Sequence, residues 1–323
     1  MQPELITERA LSPERGPRRC ADGTWQVPTL DLRLLVFDSC FQTLRQVFDL
    51  PWEGQCSVST DLQRVAVAGL DQIAMVALDG RIVWRVSHHA WGPRLGAVGS
   101  AGSCAFSPDG SQVWVVVPQH EHDVGGDQCW VLDAVTGDVL DRVPLGCSAY
   151  SSSILPHPDG RHLLLDLGAP YEVGWIGSGR WDSGRAAVFI RRCDYEVLAD
   201  LHPSGDRYLT TPIEDDKLTV RRFPDGAVQA VRQGREVFEG DVGFDLAGGF
   251  LDTERVIAKE FEGQTSLFTA DTLDMVDVID YPSDAVTEEP LPDGRGVWST
   301  FDFRIGRLQV WKDPSVPGPL HNI

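Results

Sequence analysis

The 323-residue sequence has little that would place it in a membrane, outside the cell or in a disulfide framework. Its longest apolar runs, such as residues 113–117, are far shorter than the roughly 18 residues of a membrane-spanning helix. Residues 1–9 lack the basic and then apolar order of a secretion signal. The seven cysteines are widely spaced and form no Cys-x-x-Cys pair, so we expect buried thiols in a reducing cytoplasm.

Basic charge is also scarce, because 48 acidic residues outnumber 28 basic ones and the formal net charge is −20. A field of that sign repels phosphate backbones and anionic lipids, so the sequence predicts neither nucleic acid nor a membrane as a partner. Lysine occurs only at positions 217, 259 and 312, and asparagine only at 322, a bias typical of a GC-rich bacterial genome. The apolar and charged fractions, 42% and 24%, are those of a globular protein.

What the sequence does contain is a repeated turn. Proline fixes φ at its first corner, aspartate bonds to its own backbone, and glycine accepts a positive φ. The clear copies, each followed by a strand-like run, are Ser107-Pro108-Asp109-Gly110, His157-Pro158-Asp159-Gly160, His202-Pro203-Ser204-Gly205 and Leu291-Pro292-Asp293-Gly294. With the weaker copies, the third residue of the turn falls at positions 22, 61, 109, 159, 204, 253 and 293.

A second marker, a hydrophobic residue followed by aspartate, comes 16–24 residues after each turn. Its aspartates are Asp38, Asp79, Asp133, Asp182, Asp225, Asp271 and Asp313. Two markers in fixed order, repeated every 39–50 residues, resemble the WD-repeat and YVTN-type β-propeller superfamily. The spacing predicts an all-β chain with seven four-stranded blades, six being the alternative. The resemblance implies a scaffold more often than an enzyme.

A propeller avoids an open sheet edge by pairing its last blade with its first. The last unit of the sequence has three strand-like segments, and residues 314–319 are too rich in proline to supply a fourth. We therefore predict that the segment 4–11 is the outer strand of blade 7. The predicted division of the chain is a closing strand in residues 1–12, a propeller in residues 13–313 and a tail in residues 314–323.

Three insertions are predicted on one face of the ring, at residues 87–102, 118–127 and 168–175. They belong to blades 2, 3 and 4, so we expect them to lie together near the mouth of the central channel. Loops on a rigid scaffold carry binding residues, and aromatic and arginine side chains dominate such sites. The candidate residues for binding a ligand or partner are His88, His89, Trp91, Arg94, Tyr171, Glu172, Trp175 and Arg180.

His120, His122 and Asp123 place three potential metal ligands in one loop, although His-x-His in a loop is a weak pattern. By contrast, His157 and His202 precede the proline of the repeated turn, and we expect them to be structural. No cofactor is indicated, a divalent metal being the alternative, and the sequence leaves the oligomeric state open.

We expect a non-enzymatic cytoplasmic scaffold that binds a protein or small-molecule ligand through the loops of blades 2–4. The alternative is an enzyme at the mouth of the channel. It would be a metal-assisted hydrolase or a cofactor-free cyclase or isomerase, whose catalytic residues the sequence does not identify.

Overall fold

A computed structural model describes residues 1–11, 16–20, 23–91, 102–118, 126–149, 151–168, 173–212, 216–238, 243–260, 263–283, 285, 289–302 and 304–316. These residues form 28 strands and one short 3-10 helix, Gly234–Glu236. The strands pair into seven antiparallel four-stranded sheets. The predicted all-β propeller with seven blades is therefore confirmed. In the described part of the chain, no helix has the length and hydropathy to cross a bilayer.

The strands of each blade are called A to D from the channel outward, and blades 1 to 6 each use four consecutive strands. Blade 1 contains β2 (Arg18–Arg19), β3 (Trp25–Pro28), β4 (Arg33–Phe37) and β5 (Leu44–Asp49). Blade 2 contains β6 (Gln55–Val58), β7 (Arg64–Ala68), β8 (Gln72–Ala77) and β9 (Ile82–Ser87). Blade 3 contains β10 (Cys104–Phe106), β11 (Gln112–Val117), β12 (Gln128–Asp133) and β13 (Val139–Pro144).

Blade 4 contains β14 (Ser151–Pro156), β15 (His162–Gly168), β16 (Val173–Asp182) and β17 (Arg185–Asp194). Blade 5 contains β18 (Glu196–Leu201), β19 (Arg207–Pro212), β20 (Lys217–Arg222) and β21 (Val228–Gln233). Blade 6 contains β22 (Phe244–Phe250), β23 (Arg255–Glu260), β24 (Thr265–Thr269) and β25 (Met275–Val278). Blade 7 contains β26 (Leu291–Pro292), β27 (Val297–Asp302), β28 (Arg307–Lys312) and β1 (Glu4–Ala10).

The N-terminal strand β1 closes the ring, as the sequence predicts. It pairs antiparallel with β28, so that Leu5 lies opposite Trp311. Oε2 of Glu8 accepts hydrogen bonds from Nη2 of Arg307 at 2.6 Å and from Nε2 of Gln309 at 2.9 Å. The pairing covers the edge of β28 that would otherwise be open to another chain.

The repeated turns join strands A and B. In blade 3, Oγ of Ser107 donates to Oδ1 of Asp109 at 2.6 Å, and the same oxygen accepts the amide of Ser111 at 3.0 Å. Gly110 has a φ of +71°, and a Cβ added there would meet nothing within 4 Å. Glycine is therefore required at this corner by the backbone conformation and not by a lack of space.

The hydrophobic core of the described residues is divided into seven clusters, one for each pair of neighbouring blades. The strands alternate their side chains between the two faces of a blade, so each blade contributes to two clusters. The cluster between blades 3 and 4 has thirteen buried members, including Trp114 and Leu165. The cluster between blades 4 and 5 has only five: Leu164, Ile176, Cys193, Leu198 and Tyr208.

Candidate functional site

The connections between strands differ in length between the two faces of the ring. The A–B and C–D turns lie on one face, here called the short-turn face, and none is longer than the six residues 38–43. The B–C and D–A connections lie on the opposite face, here called the loop face. The longest of these are residues 88–103, 118–127, 234–243 and 279–290.

Two of these long connections were expected and two were not. Residues 234–243 join blades 5 and 6, and residues 279–290 join blades 6 and 7. In blade 4, by contrast, only residues 169–172 connect β15 to β16, because both strands extend into the segment expected to be an insertion. The prediction of an insertion at residues 168–175 was therefore wrong, and the long connections of the loop face leave from blades 2 and 3 and from blades 5 and 6.

Five of the predicted binding residues are described by the structure: His88, His89, Trp91, Trp175 and Arg180. The others lie outside the described residues, as do all three candidate metal ligands; they are Arg94, Tyr171, Glu172, His120, His122 and Asp123.

His88 follows β9 at the loop face and packs at the joint between blades 2 and 3. Its amide donates to the carbonyl oxygen of Asp71 at 2.9 Å, and its ring meets the indole of Trp130 edge-on, with centroids 6.4 Å apart. Arg142 lies over the same indole, its Cζ 4.3 Å from the centroid. Burial lowers the pKa of His88 and so favours the neutral form of its imidazole. The adjacent His89 is exposed.

The two described tryptophans of the predicted site belong to the core. Trp91 is only 6% exposed and packs in the cluster between blades 3 and 4, where Trp175 is partly buried against the same cluster. The amide of Trp91 donates to the carbonyl oxygen of Leu70 at 2.9 Å. Both side chains therefore hold these blades together and offer little surface to a ligand.

Arg180 does not belong with the other candidates. It lies near the end of β16, directly opposite His162, the first residue after the A–B turn of blade 4. Its Nη2 is 3.5 Å from Oδ2 of Asp182, beside the C–D turn. Because β16 is ten residues long, it carries Arg180 to the short-turn face, away from the loops. The prediction that Arg180 contributes to the loop site was wrong for that reason.

A large cavity lies in the central channel and opens at the short-turn face. Its volume is about 440 Å³, and its walls come from the inner strands and A–B turns of blades 1, 4, 5, 6 and 7. A second cavity of about 280 Å³ continues toward blades 2 and 3 and shares Arg18, Arg19 and Cys20 with the first. The two-residue strand β2 thus lies between the two cavities.

One carboxyl group faces these arginines. Asp200 lines the larger cavity, where its Oδ2 accepts the amide of Phe250 at 2.8 Å and its Oδ1 accepts that of Leu201 at 2.8 Å. Burial raises the pKa of Asp200 to about 6, although the charge of Arg19 acts in the opposite direction. Asp200 therefore binds the inner strand of blade 6 to that of blade 5.

The sequence predicts a central channel, but the arginines that line the channel were missed. Its inner strands are two to seven residues long, and side chains directed into a channel leave no alternating pattern in strands as short as β2. The available signal was the pair Arg18-Arg19, next to the weakest copy of the turn in a chain poor in basic residues.

Among the described residues, His157, Asp159 and His162 form a group that a metal ion would fit. Their atoms already have protein partners, however. Oδ1 of Asp159 accepts the amides of Arg161 at 2.9 Å and His162 at 3.0 Å. Nε2 of His157 donates to the carbonyl oxygen of Gly205, in the next blade, at 2.7 Å. This group has the geometry of the repeated turn, extended by a hydrogen bond between blades.

His202 repeats this link one blade further on, since its Nε2 is 3.0 Å from the carbonyl oxygen of Thr253 in blade 6. Its Nδ1 accepts the amide of Ser204 at 3.1 Å. The histidine of the turn in one blade thus bonds to the corresponding turn of the next.

No protein-family model and no curated protein sequence matches the chain. Among solved structures, the chain is similar to the β-propeller domain of Cps50 (Swd1) from Myceliophteria thermophila, with a TM-score of 0.65 and 12% identity. The similarity covers 96% of this chain and 99% of that one. The fold is that of a β-propeller. At this identity the comparison confirms the expected resemblance to WD-repeat propellers at the level of the fold alone.

Proposed function

We propose that this propeller is a scaffold that binds a protein partner at its loop face. The observation that supports the proposal is the distribution of its connections: every connection between consecutive strands that is longer than six residues leaves at that face. Long loops on a rigid framework are where binding residues concentrate. The resemblance of the repeated turns to WD-repeat propellers, which are scaffolds more often than enzymes, agrees with this role.

Within the loop face, we place the partner at the joint between blades 2 and 3. Two of the long connections, residues 88–103 and 118–127, start from these blades. The exposed Arg142, which stacks on the buried indole of Trp130, lies beside them, together with the exposed His89. Arginine is enriched in the residues that contribute most to binding energy. The net charge of −20 favours a partner with a basic surface.

A photo-crosslinking amino acid in place of His89 tests the proposal in living cells. The matched control carries the same amino acid in place of Asp225, an exposed residue of the blade 5 turn at the short-turn face. We expect position 89 to give a discrete protein adduct that position 225 does not. The purified partner should then bind the Arg142→Ala variant about tenfold more weakly than the unaltered protein, a loss of about 1.4 kcal/mol.

Adducts of equal yield at both positions, or only at position 225, would contradict binding at the loop face. A partner that is captured at position 89 but binds the Arg142→Ala variant unchanged would contradict the assignment to the joint between blades 2 and 3.

A further inference from the structure

The central channel is basic, although the chain as a whole is acidic. The charged side chains among the described residues that line its two cavities are Arg18, Arg19, Arg295 and Asp200. Three guanidinium groups thus stand against Asp200 and the buried Asp293, a local excess of positive charge in a chain with a net charge of −20. Charges inside a narrow channel are screened less than those on an open surface, so the local sign decides which ligands enter.

Each of the three arginines has a buried nitrogen without a hydrogen-bond partner. These atoms are Nη1 of Arg18, Nε of Arg19 and Nη2 of Arg295. Native structures satisfy the great majority of their buried polar groups, and a buried donor without an acceptor costs about 1–3 kcal/mol. The protein therefore leaves part of the donor capacity of each guanidinium group unused, although these three nitrogens are covered by protein atoms and would reach a ligand in the channel only after the side chain turns.

The protein fixes the arginines from different blades. Nη2 of Arg18, in blade 1, donates to the carbonyl oxygen of Ile154, in blade 4. Nε of Arg295 is 3.3 Å from Oδ2 of the buried Asp293. Guanidinium groups held in this way lose little freedom when they bind a ligand.

Two glycines bring the guanidinium groups of blades 1 and 7 close together. A Cβ at Gly23, whose φ is +83°, would overlap the guanidinium of Arg295. A Cβ at Gly294 would lie 3.3 Å from Nη1 of Arg19. The A–B turns of the two blades thus leave room for each other's arginine.

We infer that the central channel binds a small organic anion whose oxyanion group, a carboxylate or a phosphate, is held by Arg18, Arg19 and Arg295. The planar fork of arginine matches the oxygens of both groups. Leu155, Leu201 and Leu291 are among the apolar residues of the wall, and they suit the carbon skeleton of such a ligand. This site lies at the face opposite to the proposed protein interface, so each assignment stands or fails by itself.

Isothermal titration calorimetry with inorganic phosphate and with succinate, at constant ionic strength, tests the inference. We expect one of the two anions to bind saturably with a stoichiometry of one. The substitutions Arg19→Gln and Arg295→Gln should each weaken that binding at least about tenfold, since a charge-assisted hydrogen bond is lost. Tighter binding of phosphate would assign a phosphate ester as the ligand, and tighter binding of succinate a carboxylate.

The control is Arg161→Gln, which removes an exposed arginine from the blade 4 turn on the same face and should bind as the unaltered protein does. If a glutamine variant fails to fold, Arg295→Lys keeps the charge but loses the fork, and should bind with intermediate affinity. The inference is overturned if neither anion binds with a stoichiometry of one. It is also overturned if Arg19→Gln and Arg295→Gln, or Arg295→Lys in their place, bind as tightly as Arg161→Gln.

Discussion

Blade 4 is joined to its two neighbours by different chemistry. Toward blade 3, thirteen buried hydrophobic residues pack together, and the amide of Ser103 donates to Oγ of Ser152 at 3.0 Å. Toward blade 5 only five buried hydrophobic residues pack together, and charged groups lie near them. Oδ1 of Asp166 accepts the amide of Leu198 across this joint at 3.4 Å. A carboxylate also crosses the joint with blade 3, where Oδ2 of Asp141 accepts the amide of Ala186 at 2.8 Å.

A buried ion pair within blade 5 faces this joint. Nε of Arg221 donates to Oε2 of Glu196 at 2.9 Å and Nη2 donates to Oε1 at 2.8 Å, and Oγ1 of Thr210 donates to Oε2 at 2.7 Å. The side chains of Glu196 and Arg221 are 3% and 9% exposed. The comparison teaches that the same blade geometry is kept mainly by apolar area on one side, and by a smaller apolar cluster beside a buried ion pair on the other. We therefore expect the second joint to depend more strongly on pH and on the loss of a single charged partner.

The substitution Glu196→Gln should have the largest effect of the three that sharpen this comparison. It preserves the shape of the side chain but leaves Arg221 buried without its counter-ion. We expect the free energy of unfolding to fall by about 3–5 kcal/mol. Urea denaturation followed by circular dichroism, with an unchanged slope of free energy against urea concentration, measures this loss.

Its control is the double variant Glu196→Leu/Arg221→Met, which removes both charges and should be more stable than the single variant. A single variant that loses less than about 1 kcal/mol would show that the pair resembles an exposed one and that the two joints do not differ as described.

The substitution Asp166→Asn tests whether the stability of the joint with blade 5 depends on pH. Burial raises the pKa of Asp166 to about 7, so the folded state retains a proton that the unfolded state releases near pH 4. The contribution of this group to stability is therefore complete below about pH 4 and is lost as the pH rises to 7. The variant cannot titrate, so its stability relative to the unaltered protein should increase by up to about 1.4 kcal/mol per pH unit over that range.

Urea denaturation of both proteins at several pH values between 4 and 7 measures this difference. A constant difference across the range would contradict a raised pKa at Asp166.

The substitution Ser152→Ala should have the smallest effect, since it removes a neutral bond from the apolar joint. The amide of Ser103 then loses its acceptor, which costs about 1–3 kcal/mol of unfolding free energy. No titrating group is involved, so we expect the same loss at pH 4 and at pH 7 in urea denaturation. A loss that changed with pH would remove the distinction between the two joints.

The sequence was sufficient to predict the architecture because the residues of the repeated turn determine its geometry locally. Asp109 accepts the amide of Ser111, and Gly110 adopts the positive φ that the corner requires. It was also sufficient to predict how the ring closes, because residues 4–11 were the only segment left to supply the fourth strand of blade 7. It was insufficient for the site. Arg180 was misplaced although it lies only two residues before Asp182, a marker of the C–D turn, which puts it at the short-turn face.

The pairing of Glu196 with Arg221 was hidden. The two residues are 25 positions apart, on β18 and β20, and meet only through the strand between them. The register of the strands and the inward direction of the short inner strands are set only in the assembled ring. The sequence therefore did not show that the channel arginines face one another.

Closure by β1 has a consequence for how the molecule assembles. The hydrogen bond between Glu8 and Arg307 joins residues 299 positions apart. Blade 7 therefore contains the strand pairing of greatest sequence separation in the ring. Forming such a contact requires the rest of the chain to be ordered first, and we expect it to be the last step of folding. Until then β28 is an open edge, and the β1 of a second molecule is as good a partner as its own. Refolding at high protein concentration should therefore yield strand-exchanged dimers.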